Sequence, residues 1–444
     1  MATDSDPAYQ PLLLELPSLT PSLAAEFLPH GLTLHRLFLQ ADGRTHDLVV
    51  GPEAPTGHST QKYTNTLIGR YTNRVPVGSH TISKNGLSTT INPIANPAHT
   101  PTVSLHGGPK GFDQLVFEPV PLDAIVAGGE GEVKRDSPPG VLFSAEEIKS
   151  LQSAFPQGAG ALWRAISEDG DQGYPGALLV EVAVGLVQPQ GKPAEGTKEY
   201  DMGGVVMVYR AALLDEGEKV VTPVNLTQHW GFNLDASLKD GEVGVKGHNL
   251  KMDATHTAGV DALKLPKGEN VSVEGTGHKH DGKKIGEGFP SEEGYDHFYV
   301  FSKREPRGTA GKHRFARSEL ASAGFDGVRD VLSPGAADGV VELASSKSGI
   351  KLVFGTNQSG VQFYSHNFSD PNGSMKRIHG GAGAPGPNQG YPPHSAVFLE
   401  FHEPLAAFLY PGANPSGDDT ILAPGEVYNN YVRVDVRYAS PTGL

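Results

Sequence analysis

One acidic residue near the end of the chain stands inside an apolar run. The run is Ala-Val-Phe-Leu-Glu-Phe at 396–401, and Glu400 is its charged member. A buried carboxylate is costly unless it is paired or kept for chemistry. The other interpretation is a solvent-facing position on an alternating strand, and Glu403 shows that acids are tolerated nearby. We favour the interpretation in which Glu400 performs chemistry.

A histidine, His229, lies in the polar and aromatic segment Val-Asn-Leu-Thr-Gln-His-Trp-Gly-Phe-Asn-Leu at 224–234. The residues just upstream include Val, Thr and Pro, which are typical of a strand. Buried amides need partners, and a polyhydroxylated ligand could supply them to Asn225, Gln228 and Asn233. The alternative is a core histidine beside amides that hold a turn, and this segment alone does not separate the two.

Two further segments carry hydrogen-bonding side chains among small residues. Asn73 and Arg74 place a short amide beside a rigid donor fork, as recognition of a hydroxyl-rich ligand requires, whereas a solvated loop is the plainer alternative. His106 precedes Gly107 and Gly108, which let backbone or ligand approach closely. The spacing matches no phosphate-binding loop and no helix follows, so we interpret His106 as a hydrogen-bonding group in a pocket.

Two strand-like segments add a carboxylate, an amide and a phenol. Asp296 precedes an aromatic run at 298–301 and can accept hydrogen bonds from two hydroxyl groups. Gln362 and Tyr364 are two residues apart, so on a strand both side chains point to the same face. We expect Gln362 and Tyr364 to line one cleft.

A pair of histidines, His278 and His280, is the candidate for a metal site. Histidines two residues apart can share a metal ion when a strand presents them on one face. Lysines surround this pair and no cage of carboxylates accompanies it. We therefore predict a solvated loop here, and no metal site.

The elements that position these residues are predicted to be strands. The chain has 444 residues with 56 Gly and 35 Pro spread along it, which suits many short strands and turns and would break long helices. Alternating apolar residues at 32–50 predict a strand pair around a turn at 41–43. Helical periodicity is limited to 144–154 and 22–28. The prediction is an all-β fold.

The length suggests about three domains at roughly 150 residues each, but all-β folds often run longer as one unit. We predict a single domain over residues 1–444. Segments rich in Gly, Pro and charged residues are interpreted as surface insertions near 124–157, 304–347 and 370–395. Within the last insertion, the segment at 380–391 is predicted to be a flexible loop.

Charge and composition limit the partners. A formal charge of −14 argues against nucleic acid and anionic membranes, which attract basic patches, whereas a neutral ligand is compatible. With no cysteine, disulfide and thiol chemistry are excluded. The N-terminus is acidic and polar, and no apolar run approaches about 18 residues. We expect a soluble, cytoplasmic protein.

Taken in order, these segments resemble the aldose 1-epimerase (mutarotase) family. Six motifs in register, from about residue 32 to 438, carry the resemblance. They are Gly69-Arg70 with Asn73-Arg74-Val75, Leu105-His106-Gly107-Gly108 with Gly111-Phe112-Asp113, Asn225-Leu226-Thr227 with His229 and Phe232-Asn233-Leu234, Tyr295-Asp296-His297, Gln362-Phe363-Tyr364 and Leu399-Glu400.

The resemblance implies a large antiparallel β-sandwich with few short helices, and an enzyme that interconverts the α and β anomers of free hexoses such as glucose and galactose without metal or cofactor. It implies that Glu400 is the general base and His229 the general acid. The residues it assigns to sugar binding are Asn73, Arg74, His106, Asp296 and Gln362, with Tyr364 as a weaker candidate. A hexose 6-phosphate epimerase and a non-catalytic sugar-binding protein on the same fold are the alternatives. As partners we expect the sugar alone, with the chain a monomer or homodimer.

The chain departs from the family pattern at two places. Trp230-Gly231 replaces a small residue and a tyrosine after His229, which we expect to reshape the pocket wall there. After Glu400, the sequence His-Glu-Pro-Leu at 402–405 stands where the family commonly has glutamine and then Pro-Asp, so the supporting loop is expected to differ.

Overall fold

The computed structural model describes residue 3 and residues 5–19, 21–97, 101–125, 133–189, 198–214, 219–241, 243–291, 293–304, 308–333 and 335–441. The strands in chain order are β1 (Leu12–Glu15), β2 (Leu23–Leu28), β3 (Thr33–Ala41), β4 (Arg44–Asp47), β5 (Leu67–Ile68), β6 (Arg74–Pro76), β7 (His80–Lys84), β8 (Leu87–Ile91), β9 (Val103–Leu105), β10 (Glu118–Pro121), β11 (Gly160–Ser167), β12 (Leu178–Val187), β13 (Tyr200–Leu213), β14 (Thr222–Pro223), β15 (Thr227–Gln228), β16 (Gly231–Phe232), β17 (Asn249–Met252), β18 (Ala254–Val260), β19 (Pro266–Ser272), β20 (Asp281–Lys284), β21 (Asp296–Phe301), β22 (Arg314–Ala316), β23 (Val341–Ala344), β24 (Ile350–Thr356), β25 (Gly360–Tyr364), β26 (Val397–His402), β27 (Ile421–Leu422) and β28 (Glu426–Tyr438). The α-helices in these ranges are α1 (Ala145–Ala154), α2 (Arg317–Leu320) and α3 (Arg329–Leu332). None of them is long and apolar enough to cross a membrane.

Two large antiparallel sheets face each other across the main core. In the described ranges the larger has the order β10-β11-β12-β13-β28-β24-β23-β17-β20, with β22 also paired to β28. The smaller has the order β16-β26-β25-β21-β18-β19. Across the core, the ring of Phe354 on the larger sheet lies 5.6 Å from that of Phe232 and 5.4 Å from that of Phe401 on the smaller. The predicted all-β sandwich is confirmed.

The larger sheet is buried on both faces. Along β12, Val180 and Val182 point into the main core, whereas Leu179 points into a second core on the opposite side. Side chains from 141–155 and 310–332 fill this second core and so cover the outer face of the sheet. Both ranges fall in predicted surface insertions. That they are insertions, and that the chain is one domain, stay predictions.

The local predictions have mixed outcomes. The strand pair predicted at 32–50 is confirmed as β3 and β4, and the helix predicted at 144–154 is confirmed as α1. The helix predicted at 22–28 is wrong, because this segment forms strand β2. Its apolar side chains, such as Leu23 and Ala25, enter the core at every second residue, which is the period of a strand.

The Gly- and Pro-rich segment at 380–391 follows a buried lysine. The Nζ of Lys376 donates to Oδ2 of Asp47 at 2.7 Å and to the carbonyls of His35 and Val49 at 2.7 and 2.9 Å. Neither side chain of the Lys376–Asp47 pair is exposed. The segment therefore begins four residues after a lysine that is held in the core. The flexibility of the segment stays a prediction.

A buried ion pair joins α1 to the larger sheet. Nη2 of Arg210 on β13 lies 2.8 Å from Oε1 of Glu147, and neither side chain is exposed. Glu147 also accepts hydrogen bonds from the backbone N–H groups of Ser144 and Gly327. The guanidinium of Arg210 lies over the ring of Phe315 at 4.4 Å. Glu147 thus connects the start of α1, the sheet and the segment that precedes α3.

We expect Glu147→Ala to lower the free energy of unfolding by about 3–5 kcal/mol, because the Arg210 charge stays buried without its partner. Glu146→Ala is the matched control. Glu146 is solvent-accessible and pairs with Lys149 within one turn of α1, a kind of contact that contributes only about 0.3–0.5 kcal/mol. Chemical denaturation measures both changes, and a loss under about 1 kcal/mol for Glu147→Ala contradicts the assignment.

Candidate active site

Neighbouring strands of the smaller sheet place four of the predicted site residues on one face. Glu400 on β26 lies opposite Gln362 on β25, and Tyr364 on β25 lies opposite Asp296 on β21. Residues directly opposite each other in a sheet, and residues two apart in a strand, share a face. The predicted common cleft of Gln362 and Tyr364 is confirmed. Glu400 is 2 % exposed, so the solvent-facing interpretation of this residue is wrong.

Glu400 and His229 form a close pair. Nε2 of His229 lies 3.1 Å from Oε1 of Glu400, and the His229 ring packs on Phe398 with centroids 4.9 Å apart. The backbone of His229 is held on both sides, since its N–H donates to the carbonyl of Thr66 and its carbonyl accepts from the N–H of Asn65, both at 2.9 Å. The two groups are therefore placed to pass protons to a molecule that binds beside them.

Each amide side chain of segment 224–234 bonds to the backbone of the chain around Glu400, at intervals of four residues. The bonds run from Nδ2 of Asn233 to the carbonyl of Ser395 (2.8 Å), from Nε2 of Gln228 to that of Leu399 (2.9 Å) and from Nδ2 of Asn225 to that of Glu403 (2.9 Å). The suggestion that a ligand satisfies these amides is wrong, because the protein itself pairs them. Their role is to hold the segment with His229 against the strand with Glu400.

The altered sequence after Glu400 has its own support. The carboxylate of Glu403 is 1 % exposed and accepts hydrogen bonds from the backbone N–H of Ser359 at 3.0 Å and from side chains of Ser359 and Asn414. Its backbone N–H donates to Oδ1 of Asn225 at 3.1 Å. Glu403 is thus a buried acid that anchors the end of β26. That this loop differs from that of the family stays a prediction.

A chain of hydrogen bonds crosses the wall beside Glu400. Nδ2 of Asn73 donates to Oε1 of Gln362 at 3.1 Å, and Nε2 of Gln362 donates to Oδ1 of Asp296 at 2.7 Å. Nη2 of Arg74 lies 3.3 Å from Oδ2 of Asp296. These four side chains are oriented before any ligand binds, which reduces the entropy lost on binding.

His106 is held beside Asn73 by a tight glycine turn. Its N–H donates to the carbonyl of Asn73 at 3.0 Å, and its ring meets that of His229 edge-on, with centroids 5.3 Å apart. Gly107 has a φ of 84°, and a Cβ there would lie 2.1 Å from the carbonyl oxygen of Gly69. The predicted close backbone approach is confirmed, because only glycine fits at this position.

All of these side chains surround one cavity of about 720 Å³. The structure brings together at its surface every residue predicted for the site, namely Asn73, Arg74, His106, His229, Asp296, Gln362, Tyr364 and Glu400. Their catalytic and binding roles stay predictions. The cavity also includes residues that the sequence reasoning missed, among them Tyr63, His366, Tyr391 and Phe398. The period of two from Gln362 and Glu400 points to His366 and Phe398, whereas no sequence signal points to the two tyrosines, which reach the cavity from loops.

The expectation that Trp230-Gly231 reshapes the pocket wall is wrong for Trp230 and stays a prediction for Gly231. Trp230 does not line the cavity but packs in the main core against Phe27 and Phe232, with centroids 6.3 and 6.4 Å away. A Cβ at Gly231 would lie 2.4 Å from the ring of Phe398, which does line the cavity. Glycine here lets Phe398 fill its place beside His229.

The two histidines of the segment 275–288 lie behind this wall. Nε2 of His280 is 3.1 Å and Nδ1 of His278 2.9 Å from the hydroxyl of Tyr299. His280 is 3 % exposed and packs against the rings of Tyr295 and Phe363. The solvated-loop prediction is therefore wrong for His280, because an aromatic cluster buries it.

Among the described residues, the side chains grouped closely enough for a metal ion are His106, His229 and Glu400, whose ligand atoms lie within 4.8 Å of one another. Zinc binds its ligands at about 2.0–2.2 Å, which places tetrahedral ligand atoms no more than about 3.6 Å apart. The group would have to contract to hold such an ion.

Burial shifts the pKa values of the pair in opposite directions. Burial, together with the nearby Asp296 carboxylate, raises the pKa of Glu400 well above its usual value, and Arg74 opposes this. Burial lowers the pKa of His229 to about 4, aided by the nearby imidazoles of His366 and His402. The carboxyl therefore becomes a stronger base and the imidazolium a stronger acid.

The chain has relatives in sequence. The family model described as aldose 1-epimerase matches residues 207–435. The galactose mutarotase of Bos taurus is 29% identical over 410 residues, which cover 92% of this chain and 89% of the relative. That of Homo sapiens is 27% identical over 415 residues, with the same coverage.

Solved structures share the fold. The GalM/aldose epimerase homologue from C. elegans superposes with a TM-score of 0.62 at 20% identity, covering 97% of this chain and 100% of its own. The galactose 1-epimerase from Lactobacillus acidophilus gives a TM-score of 0.60 at 16% identity, covering 97% and 99%. At these identities the similarity establishes the β-sandwich architecture.

We expect Glu400→Gln to stabilise the protein at alkaline pH. With its raised pKa, the folded carboxyl keeps a proton that the unfolded chain releases above about pH 4.3, so the wild type loses stability as the pH rises. Glutamine does not ionise. Thermal unfolding should therefore occur at a higher temperature in the variant than in the wild type at pH 8, with the gap narrowing towards pH 4.

The control for this measurement is Glu269→Gln, on the exposed strand β19, for which no such gap is expected. A wild type that is more stable than Glu400→Gln at pH 8 contradicts the raised pKa of Glu400 in the folded protein.

Proposed function

We propose, since the chain belongs to the aldose 1-epimerase family, that it is an isomerase interconverting the α and β anomers of free hexoses such as glucose and galactose. Relatives named galactose mutarotase match over nearly the whole chain. The observation that carries the proposal is the His229–Glu400 pair, 3.1 Å apart at a cavity whose walls offer amides, a carboxylate and a guanidinium.

The reaction explains why an acid and a base must be neighbours. Opening the ring requires removal of a proton from the C1 hydroxyl and addition of a proton to the ring oxygen, and both oxygens are bonded to C1. The step starts from the form of the pair in which the shared proton is on His229 and Glu400 is a carboxylate. Glu400 takes the hydroxyl proton while His229 protonates the ring oxygen, so the bond between C1 and the ring oxygen breaks and an aldehyde forms. Each such positioned group contributes on the order of 10²–10⁴ in rate.

Closure reverses the two roles. After rotation about the C1–C2 bond, His229 removes the proton from the C5 hydroxyl as that oxygen attacks C1 from the other face. Glu400 then returns its proton to the former aldehyde oxygen. Both residues end as they began, so no net proton, redox equivalent or co-reactant is consumed.

The remaining residues bind and orient the sugar. Asp296 accepts hydroxyl hydrogen bonds, while Gln362 and Arg74 hold its carboxylate. Asn73 in turn donates to Gln362, and these side chains present further donors. His106, edge-on to His229, reaches the neighbourhood of the ring oxygen. Tyr364 stays the weaker candidate, because its hydroxyl already accepts the N–H of Phe368 at 2.8 Å.

A free hexose fits the cavity charges better than a hexose 6-phosphate. Of the cations that line the cavity, Arg74 pairs with Asp296 and Lys62 lies 3.7 Å from Asp113. Lys264 has no ion pair to a described residue, and Asp370 lines the same cavity. Recognition of a phosphate generally uses bidentate arginine or several cations.

The other alternative, a non-catalytic sugar-binding protein, has no need of a matched acid and base.

We expect the wild type to speed the approach of freshly dissolved α-galactose or α-glucose to anomeric equilibrium, as followed by polarimetry. Glu400→Gln should lower the rate by roughly 10²–10⁴, because glutamine cannot accept the proton. Glu269→Gln, outside the cavity, should leave the rate unchanged. If the wild type accelerates mutarotation of neither sugar, the proposed function is wrong. If Glu400→Gln keeps the wild-type rate, the assignment of Glu400 as the base is wrong. Parallel assays with glucose 6-phosphate separate the phosphorylated alternative.

The rate should be insensitive to pH over a broad range. Below the pKa of His229, about 4, both groups are protonated and the base is lost. Above the raised pKa of Glu400, both are deprotonated and the acid is lost. Between these limits the pair shares one proton, so we expect a flat profile of kcat/KM that falls on both sides. A rate that climbs steadily from pH 5 to 7, after subtraction of the uncatalysed reaction, contradicts this sharing.

The sugar is the partner we propose. The monomeric or homodimeric state and the cytoplasmic location stay predictions, as does the lack of nucleic-acid or membrane partners. Light scattering of the purified protein tests the first of these.

A further inference from the structure

A histidine without an assigned role, His366, lies two residues beyond the end of β25 and lines the cavity. It follows Gln362 and Tyr364 at intervals of two residues, and all three line the same cavity. The ring of Phe398 contacts both His229 and His366, with centroids 4.9 and 5.4 Å away. His366 therefore lies along the same wall as the proton-exchanging pair, on a further side of Phe398.

The imidazole of His366 is held in one position. Its Nδ1 lies 2.8 Å from Oγ of Ser395, and its ring packs against those of Phe398 and Tyr391 with centroids 5.4 and 6.5 Å away. The carbonyl of Ser395 accepts the side-chain amide of Asn233 at 2.8 Å. The amide hydrogen bonds that hold the strand of Glu400 therefore also hold Ser395, whose hydroxyl bonds to His366.

The second ring nitrogen of His366 is left for a ligand. With Nδ1 bonded to Ser395, Nε2 has no hydrogen-bond partner in the described part of the chain and is not sealed from the cavity. Burial lowers the pKa of His366 to about 4, so the ring is neutral near pH 7. In either tautomer Nε2 makes one hydrogen bond with a hydroxyl group, because a hydroxyl both donates and accepts.

We propose that Nε2 of His366 binds a hydroxyl group at the end of the sugar remote from C1, and that this bond contributes to the choice among hexoses. The proposal rests on the proposed function, since that places C1 at the Glu400–His229 pair. The candidate hydroxyl groups are those on C4 and C6 of the ring form of the hexose.

The backbone at His366 permits a clean deletion. Its φ is 55°, in the left-handed region where glycine is favoured. His366→Gly therefore removes the imidazole without straining the chain. Asp42→Gly is the matched control, because Asp42 also has a positive φ, 52°, and lies in the β3–β4 turn outside the cavity.

The test measures dissociation constants by NMR titration for three sugars: D-galactose, its 6-deoxy analogue and its 4-deoxy analogue. His366→Gly should weaken binding of D-galactose by about 2- to 12-fold, the range for one uncharged hydrogen bond. For the analogue that lacks the bonded hydroxyl, wild type and variant should bind equally. In polarimetric assays KM should rise while kcat stays unchanged, and Asp42→Gly should behave as wild type.

The outcomes separate this inference from the proposed function. An equal loss of affinity for all three sugars indicates a structural role and overturns the inference, as does an unchanged affinity for D-galactose. A wild type that binds none of the sugars overturns it as well. If binding follows the expected pattern but the wild type does not speed mutarotation, the proposed function fails and the role of His366 in binding stands.

Discussion

The three amide hydrogen bonds between segment 224–234 and the strand of Glu400 fix the distance on which the site depends. They hold the carbonyls of Ser395, Leu399 and Glu403, so the strand is fastened before, beside and after its glutamate. A buried amide that loses its partner costs about 1–3 kcal/mol, which makes the segment and the strand one stiff unit. This bracing positions the two backbones whose side chains, His229 and Glu400, meet at 3.1 Å.

The same burial that costs stability supplies the chemistry. An apolar strand around Glu400 raises its pKa, and the packing of His229 against Phe398 lowers that of the imidazole. In water the two groups would be a weaker base and a weaker acid. The rest of the fold compensates, with a large sheet buried on both faces and with buried ion pairs, such as Arg210 with Glu147, that join its outer layer to the core.

The sequence predicted the site better than it predicted its surroundings. Residue type and the period of two sufficed for Glu400, Gln362 and Tyr364, because a strand repeats its faces regularly and a carboxylate in an apolar run is conspicuous. Cavity residues on irregular loops, such as Tyr63, carry no period and were missed. Burial of His280 was missed for a related reason, since the aromatic residues that cover it come from distant strands.

By itself the sequence determined the all-β class, through its alternation and its glycines and prolines, and it determined which chemical groups the site contains. Only the tertiary structure decided how those groups are used. From the sequence, the side chains of Asn225 and Gln228 could bond to a ligand or to the protein. In the fold both bond to backbone carbonyls. His366 is the opposite case, because the fold leaves one of its nitrogens facing the cavity. The physical reason is that whether a polar atom is already paired depends on neighbours far away in the chain, which local patterns cannot encode.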